Sequence, residues 1–216
     1  MVYLFLGPSG SGKDTQVDLL AEKIPLERIS TGEMFRTMYE EGDPLGVKAH
    51  DEYWSKGLFN PDDQVFELLE KWLERFDQQK AWAFVGAVRR ETQIPKLDDV
   101  LAKYDKKLDA VVNFTLSVEA AIERRSLRWI CEDCGLNYHE KYKPEKNKGF
   151  CDECGGKLIQ REDDTPEKTR SLMAEYNKGI EGIKKEYEKR GIWIDIDASP
   201  SIEEIHKVVC KKLNII

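Results

Sequence analysis

Gly7-Pro8-Ser9-Gly10-Ser11-Gly12-Lys13-Asp14-Thr15 is the stretch from which the rest of the chain can be read. It follows the apolar run Val2–Leu6 and precedes a helical pattern carrying Val17, Leu19, Leu20 and Ala21. Strand, Gly-rich loop and helix start, in that order, give the pattern G-x-x-x-x-G-K its phosphate-loop context. Glycines let backbone N–H groups close around an anion, and the helix N-terminus adds positive potential there. Gly10, Ser11, Gly12, Lys13, Asp14 and Thr15 are the expected phosphate cradle, with Lys13 reaching the outer phosphates. The hydroxyl that usually follows the lysine directly comes one residue later, as Thr15, and Asp14 places a carboxylate beside the phosphates. The competing reading is a bare tight turn into a helix, which the flanking pattern disfavours. A nucleoside triphosphate is the expected ligand.

Outward from the loop, strand-like runs recur at Arg28–Ser30, Trp82–Val85, Ala110–Leu116 and Ile192–Ile196, with helical patterns between them. Val65, Leu68, Leu69, Trp72, Leu73 and Phe76 fall at helical spacing. So do Met173, Tyr176, Ile180, Ile183 and Tyr187, and again Ile202, Ile205, Val208, Val209 and Leu213. These stripes read as core-facing sides of helices. Strands alternating with helices predict an α/β chain of P-loop NTPase fold. Its five-stranded parallel sheet should be covered by helices on both faces. Two stretches break the alternation. Residues 31–61 read as helical and polar with no strand, and residues 129–160 hold four cysteines and almost no aliphatic core.

Those cysteines are spaced Cys131-x2-Cys134 and Cys151-x2-Cys154, the arithmetic of a structural zinc site. Each C-x-x-C turn can aim two thiolates at one ion, and two such turns complete a tetrahedron. Gly135 and Gly155-Gly156 follow the second cysteine of each pair, where tight turns need them. Disulfides are the competing reading, disfavoured without a secretion signal. A redox pair leaves two matching pairs unexplained. Cys210 reads as a core thiol on the last helix, and His139 meets a thiolate set with no position left for it.

At 216 residues, with 40% hydrophobic content, the chain suits one α/β domain with small insertions. Charged residues make up 35% and the formal net charge is −7, which argues against a nucleic-acid partner even with a zinc ribbon present. No apolar run approaches the roughly 18–20 residues that span a bilayer, so no membrane partner is expected. Met1 leads straight into the first strand, leaving no room for a signal peptide, and the cytoplasm is the expected location.

The P-loop, the helical insert and the four-cysteine flap together resemble the adenylate kinase family, nearest to its zinc-bearing, long-lid bacterial and archaeal type. The likeness runs almost end to end. It is carried by Gly7–Gln16, by Ile29-Ser30-Thr31-Gly32-Glu33-Met34-Phe35-Arg36, by Gly57-Leu58-Phe59-Asn60-Pro61-Asp62 and by Gly86-Ala87-Val88-Arg89 with Gln93. Arg124-x3-Arg128 precedes the cysteines, and Asn137-Tyr138-His139 and Arg161-Glu162-Asp163-Asp164 complete the set. The resemblance implies Mg-dependent transfer of a phosphoryl group from ATP to AMP, giving ADP, by a monomer. It implies a CORE over 1–30, 61–128 and 161–216, a monophosphate-binding insert over 31–60 and a zinc lid over 129–160.

Roles follow by position. Arg36 and Arg89 match arginines that grip the acceptor's α-phosphate. Arg124 and Arg161 match lid-side arginines at the transferring group, and Arg128 lies at the lid hinge facing the donor. Asn137 and Tyr138 fall on the ATP side. Thr31, Leu58, Phe59, Asn60, Gly86 and Gln93 fall on the AMP side, with Thr31 and Gln93 reading adenine. Lys13, Arg36, Arg89, Arg124 and Arg161 are the expected catalytic set, and Cys131, Cys134, Cys151 and Cys154 the metal set. The chain departs from the family pattern where Val85 replaces a Mg²⁺-orienting aspartate, where Ala87-Val88 replaces Phe-Pro, and where Leu172 replaces an arginine, with Arg170 two residues away. These departures predict reduced activity and leave two rivals standing: a UMP- or CMP-type kinase, and a nucleotide-binding sensor with weak catalysis.

Overall fold

The computed structural model describes residues 1–53, 55, 60–161 and 164–216. Five parallel strands, β1 (Val2–Leu6), β2 (Leu26–Ser30), β3 (Ala81–Val85), β4 (Ala110–Thr115) and β8 (Trp193–Asp197), form one sheet in the order β2-β3-β1-β4-β8. Alternation along each strand splits the core in two. Val2, Leu4 and Leu6 of β1, with Trp82 and Phe84 of β3, face one layer; Tyr3 and Phe5, with Ala83 and Val85, face the other. A parallel sheet buried on both faces needs such near-continuous apolar strands.

The first layer packs against α2 (Thr31–Glu40), α3 (Pro44–Glu52), α4 (Asp62–Leu73), α5 (Gln93–Ala102) and the long α7 (Pro166–Lys189). The second packs against α1 (Lys13–Ala21) and α8 (Ile202–Lys212), through Val17 and Leu20 and through Ile205, Val209 and Cys210. Cys210 is buried there, as expected of a core thiol. Helix starts are marked chemically. Ser30, Ser117, Thr165 and Ser201 each accept a backbone N–H with a side-chain oxygen at the N-cap of α2, α6 (Val118–Ser126), α7 and α8.

The region before α4 contains no strand among its described residues, as read. Its helices are less polar than their composition suggests, because Met34, Met38 and Ala49 are fully buried in the first layer. Gly46 of α3 allows a close crossing: a Cβ there would lie 2.6 Å from the Met38 backbone carbon. The cysteine segment forms a second, three-stranded antiparallel sheet in the order β6-β5-β7, built from β5 (Arg128–Cys131), β6 (Asn137–His139) and β7 (Leu158–Ile159). Its core is only Cys131, Tyr138, Cys151 and Leu158, with Trp129 and Leu136 against it. No helix among the described residues is long and apolar enough to cross a membrane.

Candidate active site

The phosphate loop leaves the C-terminal end of β1, the edge where parallel α/β sheets place their ligands. Gly10 and Gly12 take φ of 88° and 82°, the left-handed region that admits glycine without strain. Gly12 is also the N-cap of α1 and offers no side chain to its first N–H groups, so these donors are left to an anion. Lys13 folds back over the loop, its Nζ 3.4 Å from the Pro8 carbonyl and 3.8 Å from Asp14. Burial lowers its pKa, Asp14 opposes the shift, and the positive charges of Arg89, Arg128 and Arg125 add to the lowering. A phosphate group meets the opposite field.

Asp14 does not aim its charge only at the loop. Arg28 of β2 reaches it at 3.6 Å and also holds Asp18 at 3.1 Å and Glu33 at 2.8 Å. One guanidinium thus ties the first turn of α1 to the first turn of α2. The sequence reading missed this pairing because Asp14 and Asp18 reach Arg28 from another element, α1. Val85 ends β3 in register with Ser30 and is buried, so no carboxylate stands there. Glu91, another carboxylate of that loop, is directed elsewhere: a Cβ on Gly182 of α7 would meet its Oε2 at 2.5 Å.

On the acceptor side, Thr31 donates its hydroxyl to the Gly86 carbonyl at 3.1 Å, fixing the start of α2 to the turn after β3. Gln93 is buried and already engaged. Its Oε1 accepts the Arg89 N–H at 2.7 Å and its Nε2 donates to Asp62 at 2.8 Å, which shapes the loop that presents Arg89. Arg89 is exposed at the cleft, yet enough protein surrounds it that desolvation lowers its pKa, with Glu175 opposing. Gly179 lets α7 approach the Arg89 carbonyl, where a Cβ would come within 2.6 Å. Arg36 is exposed on α2, its Nη1 near Gly32. Asn60 is buried, with Oδ1 lacking a partner among the described residues. Leu58 and Phe59 lie outside the described residues.

On the lid side, Arg128 binds Asp164 through Nε at 2.9 Å, and Arg125 meets the same carboxylate at 3.0 Å. Arg124 lies at the seam, donating to the Ala198 carbonyl at 2.7 Å and lying 5.8 Å from the Tyr142 ring centre. The Arg161 carbonyl accepts the Asp164 N–H at 3.0 Å, closing the turn back to the core. Asn137 is exposed. Tyr138 instead belongs to the lid interior, its hydroxyl accepting from Asp152 N–H at 2.7 Å and lying 3.4 Å from Cys151 Sγ.

The two cysteine turns are copies of one another. Gly135 and Gly155 N–H donate to the Cys131 and Cys151 carbonyls at 3.0 Å, and the cysteine N–H groups donate to Leu136 and Gly156 carbonyls at 2.9 and 2.8 Å. A Cβ at Gly156 would lie 2.3 Å from Asp133 Oδ2 and 2.9 Å from Cys131 Sγ, so any side chain there would displace both, a thiol of the cluster among them. All four thiols are free, with their sulfurs within 4.8 Å of one another. The contacts Cys131–Cys154 at 3.4 Å and Cys134–Cys151 at 3.6 Å approach the roughly 3.8 Å edge of a tetrahedron with ~2.3 Å metal–sulfur bonds. The Tyr138 hydroxyl pulls the Cys151 thiol down to about 6. The Gly156 N–H is the strongest single influence on Cys154 and lowers it, but the neighbouring thiols Cys131, Cys134 and Cys151 together with burial push it up to about 12. Four crowded sulfurs ionise together only around a cation, so the set fits a metal.

A family model for adenylate kinase matches residues 5–192. The chain is also 38% identical over 209 residues to an adenylate kinase of Archaeoglobus fulgidus, across 97% of this chain and 96% of that one. To an adenylate kinase of Carboxydothermus hydrogenoformans it is 38% identical, covering 95% of each. To one of Clostridium tetani it is 33% identical over the full length of both. The chain belongs to the adenylate kinase family. Members of that family are nucleoside monophosphate kinases. Within the family frame, Arg125 and Asp164 are the residues that sequence reasoning left without a role. A signal for the first was present, since Arg125 follows Ala121 by four residues and so shares its helix face, which is the buried one.

Proposed function

We propose that the chain transfers a phosphoryl group reversibly between ATP and AMP, giving two ADP. The observation that carries this is the charge at the mouth of α1: Lys13, with an uncapped helix start beneath it, lies in the field of Arg89, Arg125 and Arg128. Phosphoryl transfer asks for positioning and charge neutralisation more than for acid–base chemistry. Lys13 and the amides of Gly10, Ser11, Gly12, Asp14 and Thr15 hold the donor phosphates. Arg36 and Arg89 orient the acceptor phosphate, Arg89 being held by the Gln93 carboxamide. Thr31, Gly86, Asn60 and Gln93 shape the acceptor-base side. Arg124, Arg128 and Arg161 come from the lid seam to the transferring group, and closure of the lid excludes water that would otherwise hydrolyse ATP.

Mg²⁺ bound with ATP supplies further neutralisation of phosphate charge. The Thr15 hydroxyl and the Glu33 carboxylate are the groups of this chain that would hold its shell, with Val85 contributing nothing. Zinc is our assignment for the thiol cluster, in a closed structural site. The CORE, the insert over 31–60 and the lid over 129–160 are the units we propose for this division of labour, in a cytoplasmic monomer. The test is ADP formation from ATP with AMP, UMP, CMP or GMP at varied Mg²⁺. Fast turnover with AMP supports the reading. Preference for UMP or CMP moves it to another monophosphate, and nucleotide binding without turnover makes the chain a sensor.

A further inference from the structure

Arg125 is the most buried cation near the phosphate loop, with a side chain 1% exposed. It projects from α6 at the crest of the loop: a Cβ added to Gly10 would lie 3.2 Å from Arg125 Cγ and 3.4 Å from the Ala121 carbonyl. Its Nε meets Asp164 at 3.0 Å, and the same carboxylate, itself 2% exposed, binds Arg128. Two guanidiniums therefore converge on one anion beside the phosphate loop. Taking an Arg–carboxylate pair out of water is costly, and an apolar replacement of similar volume is often as stable or more so. Stability alone is a weak reason for a buried Arg125 at this place.

The long helix α7 runs behind the site and carries no charge at Leu172. Thr169 and Met173 form the buried face of α7 there, while Leu172 and Arg170 are both exposed. We propose that Arg125 is a phosphate-contacting residue: with Lys13 and Arg128 it grips oxygens of the donor's outer phosphates, and Asp164 is the residue that positions it. Arg128 already holds both oxygens of Asp164 and Arg125 meets one of them through Nε, and a phosphate offers guanidinium groups the same kind of paired acceptors. Asp164 balances the paired charges, and donor phosphate oxygens would share the two guanidiniums with it. Arg125 thereby supplies from α6 the positive charge that Leu172 does not supply from α7. This inference rests on the reading of the cleft as a phosphoryl-transfer site.

The experiment uses the full-length, metal-loaded chain and two probes: ADP formation from ATP and AMP, and calorimetric binding of inorganic tripolyphosphate, which needs no turnover. Arg125→Leu is expected to weaken tripolyphosphate binding at least tenfold and to lower kcat by about 10²-fold, with KM for AMP little changed and the melting temperature lowered, since Asp164 stays buried with Arg128 as its remaining partner. Arg125→Lys keeps the charge without the fork and is expected to fall between the two; it serves if Arg125→Leu does not fold. Asp164→Asn should raise the KM for ATP more than that for AMP. Tripolyphosphate binding and kcat within twofold of the parent chain in Arg125→Leu or Arg125→Lys, with only the melting temperature lowered, would overturn the proposal and leave Arg125 a packing residue. A parent chain that binds tripolyphosphate but makes no ADP would break the functional reading instead, and the binding comparison would still decide the role of Arg125.

Discussion

The five-stranded sheet and the three-stranded lid solve the same problem by different means. The large sheet buries apolar side chains on both faces, from Leu4 and Phe84 on one to Phe5 and Val112 on the other, so its order follows from hydrophobic burial. The lid has only Tyr138 and Leu158 buried beside Cys131 and Cys151, with Trp129 and Leu136 partly covered. An element that small cannot offset the entropy of ordering its chain by burial alone, and small metal sites take over that task. The functional charges follow the same division. The core offers Lys13 on a fixed loop, whereas Arg124, Arg128 and Arg161 sit where core meets lid. In the proposed function the large sheet's loop holds the donor and the lid closes over it.

The largest effect should come from breaking the core side of that contrast. Lys13→Ala is expected to remove phosphoryl transfer to the limit of detection, and Arg89→Ala to lower it by roughly 10²–10³-fold. Neither should alter the melting temperature, since neither side chain belongs to either apolar layer. Comparable turnover in both variants would show that the reacting phosphates lie elsewhere.

Removing the metal proposed for the lid comes next. Cys151→Ser, or chelation of the parent chain, should drop bound zinc from one per chain to none and expose lid amides to hydrogen exchange, while those of β1 stay protected. Acid should do the same, because metal binding requires deprotonated thiols and protons compete for them. Purified chain without metal, or lid protection that survives Cys151→Ser, would mean that the two sheets do not differ in the way described here.

How far this contrast could be read from the sequence depends on the range of the interaction. The strands of the large sheet were legible because buried strands leave unbroken apolar runs. β2 and β8 are exceptions: β2 starts at Leu26 rather than Arg28, since Glu27 interrupts its pattern and is paired by Lys80 from across the chain, and β8 runs Trp193–Asp197 with Asp195 and Asp197 breaking its apolar run. The metal set was legible because its spacing is local. Tyr138 was read as an ATP contact; that its hydroxyl is also built into the cysteine turns is something no local pattern announces. Gln93 was read only as an adenine reader. Its engagement with Asp62 and Arg89 depends on a partner thirty-one residues away. Arg125 and the Arg28 network were missed for the same reason, as each gains its meaning from residues distant in sequence.

Gln93 offers a sharper, smaller test. If its carboxamide both shapes the Arg89 loop and faces the acceptor base, Gln93→Ala should lower kcat/KM for AMP by about tenfold, the worth of one or two hydrogen bonds left unmade. A loss of equal size for AMP and CMP would assign Gln93 to the loop alone. A larger loss for AMP would add base recognition. No loss for either would remove it from the site.

The smallest effect concerns Val85, and it contrasts two ways of supplying negative charge near Mg²⁺. The end of β3 carries no carboxylate, and Glu33 shares Arg28 with Asp14 and Asp18. Water bound to Mg²⁺ needs outer-shell acceptors for placement, and here those acceptors are partly committed to a guanidinium. Two substitutions separate the causes. Val85→Asp adds an acceptor but buries a carboxylate among apolar neighbours, so it should lower the melting temperature while raising turnover a few-fold at limiting Mg²⁺. Arg28→Ala leaves β3 intact and releases Glu33 and Asp14. It should lower the Mg²⁺ needed for half-maximal rate, while the extra negative charge beside Lys13 weakens ATP binding. Kinetics against free Mg²⁺ distinguish these outcomes. A parent chain already saturated at ordinary Mg²⁺, with no gain in either variant, would show that Glu33 suffices while still paired to Arg28, and that Val85 is a compensated difference from its relatives.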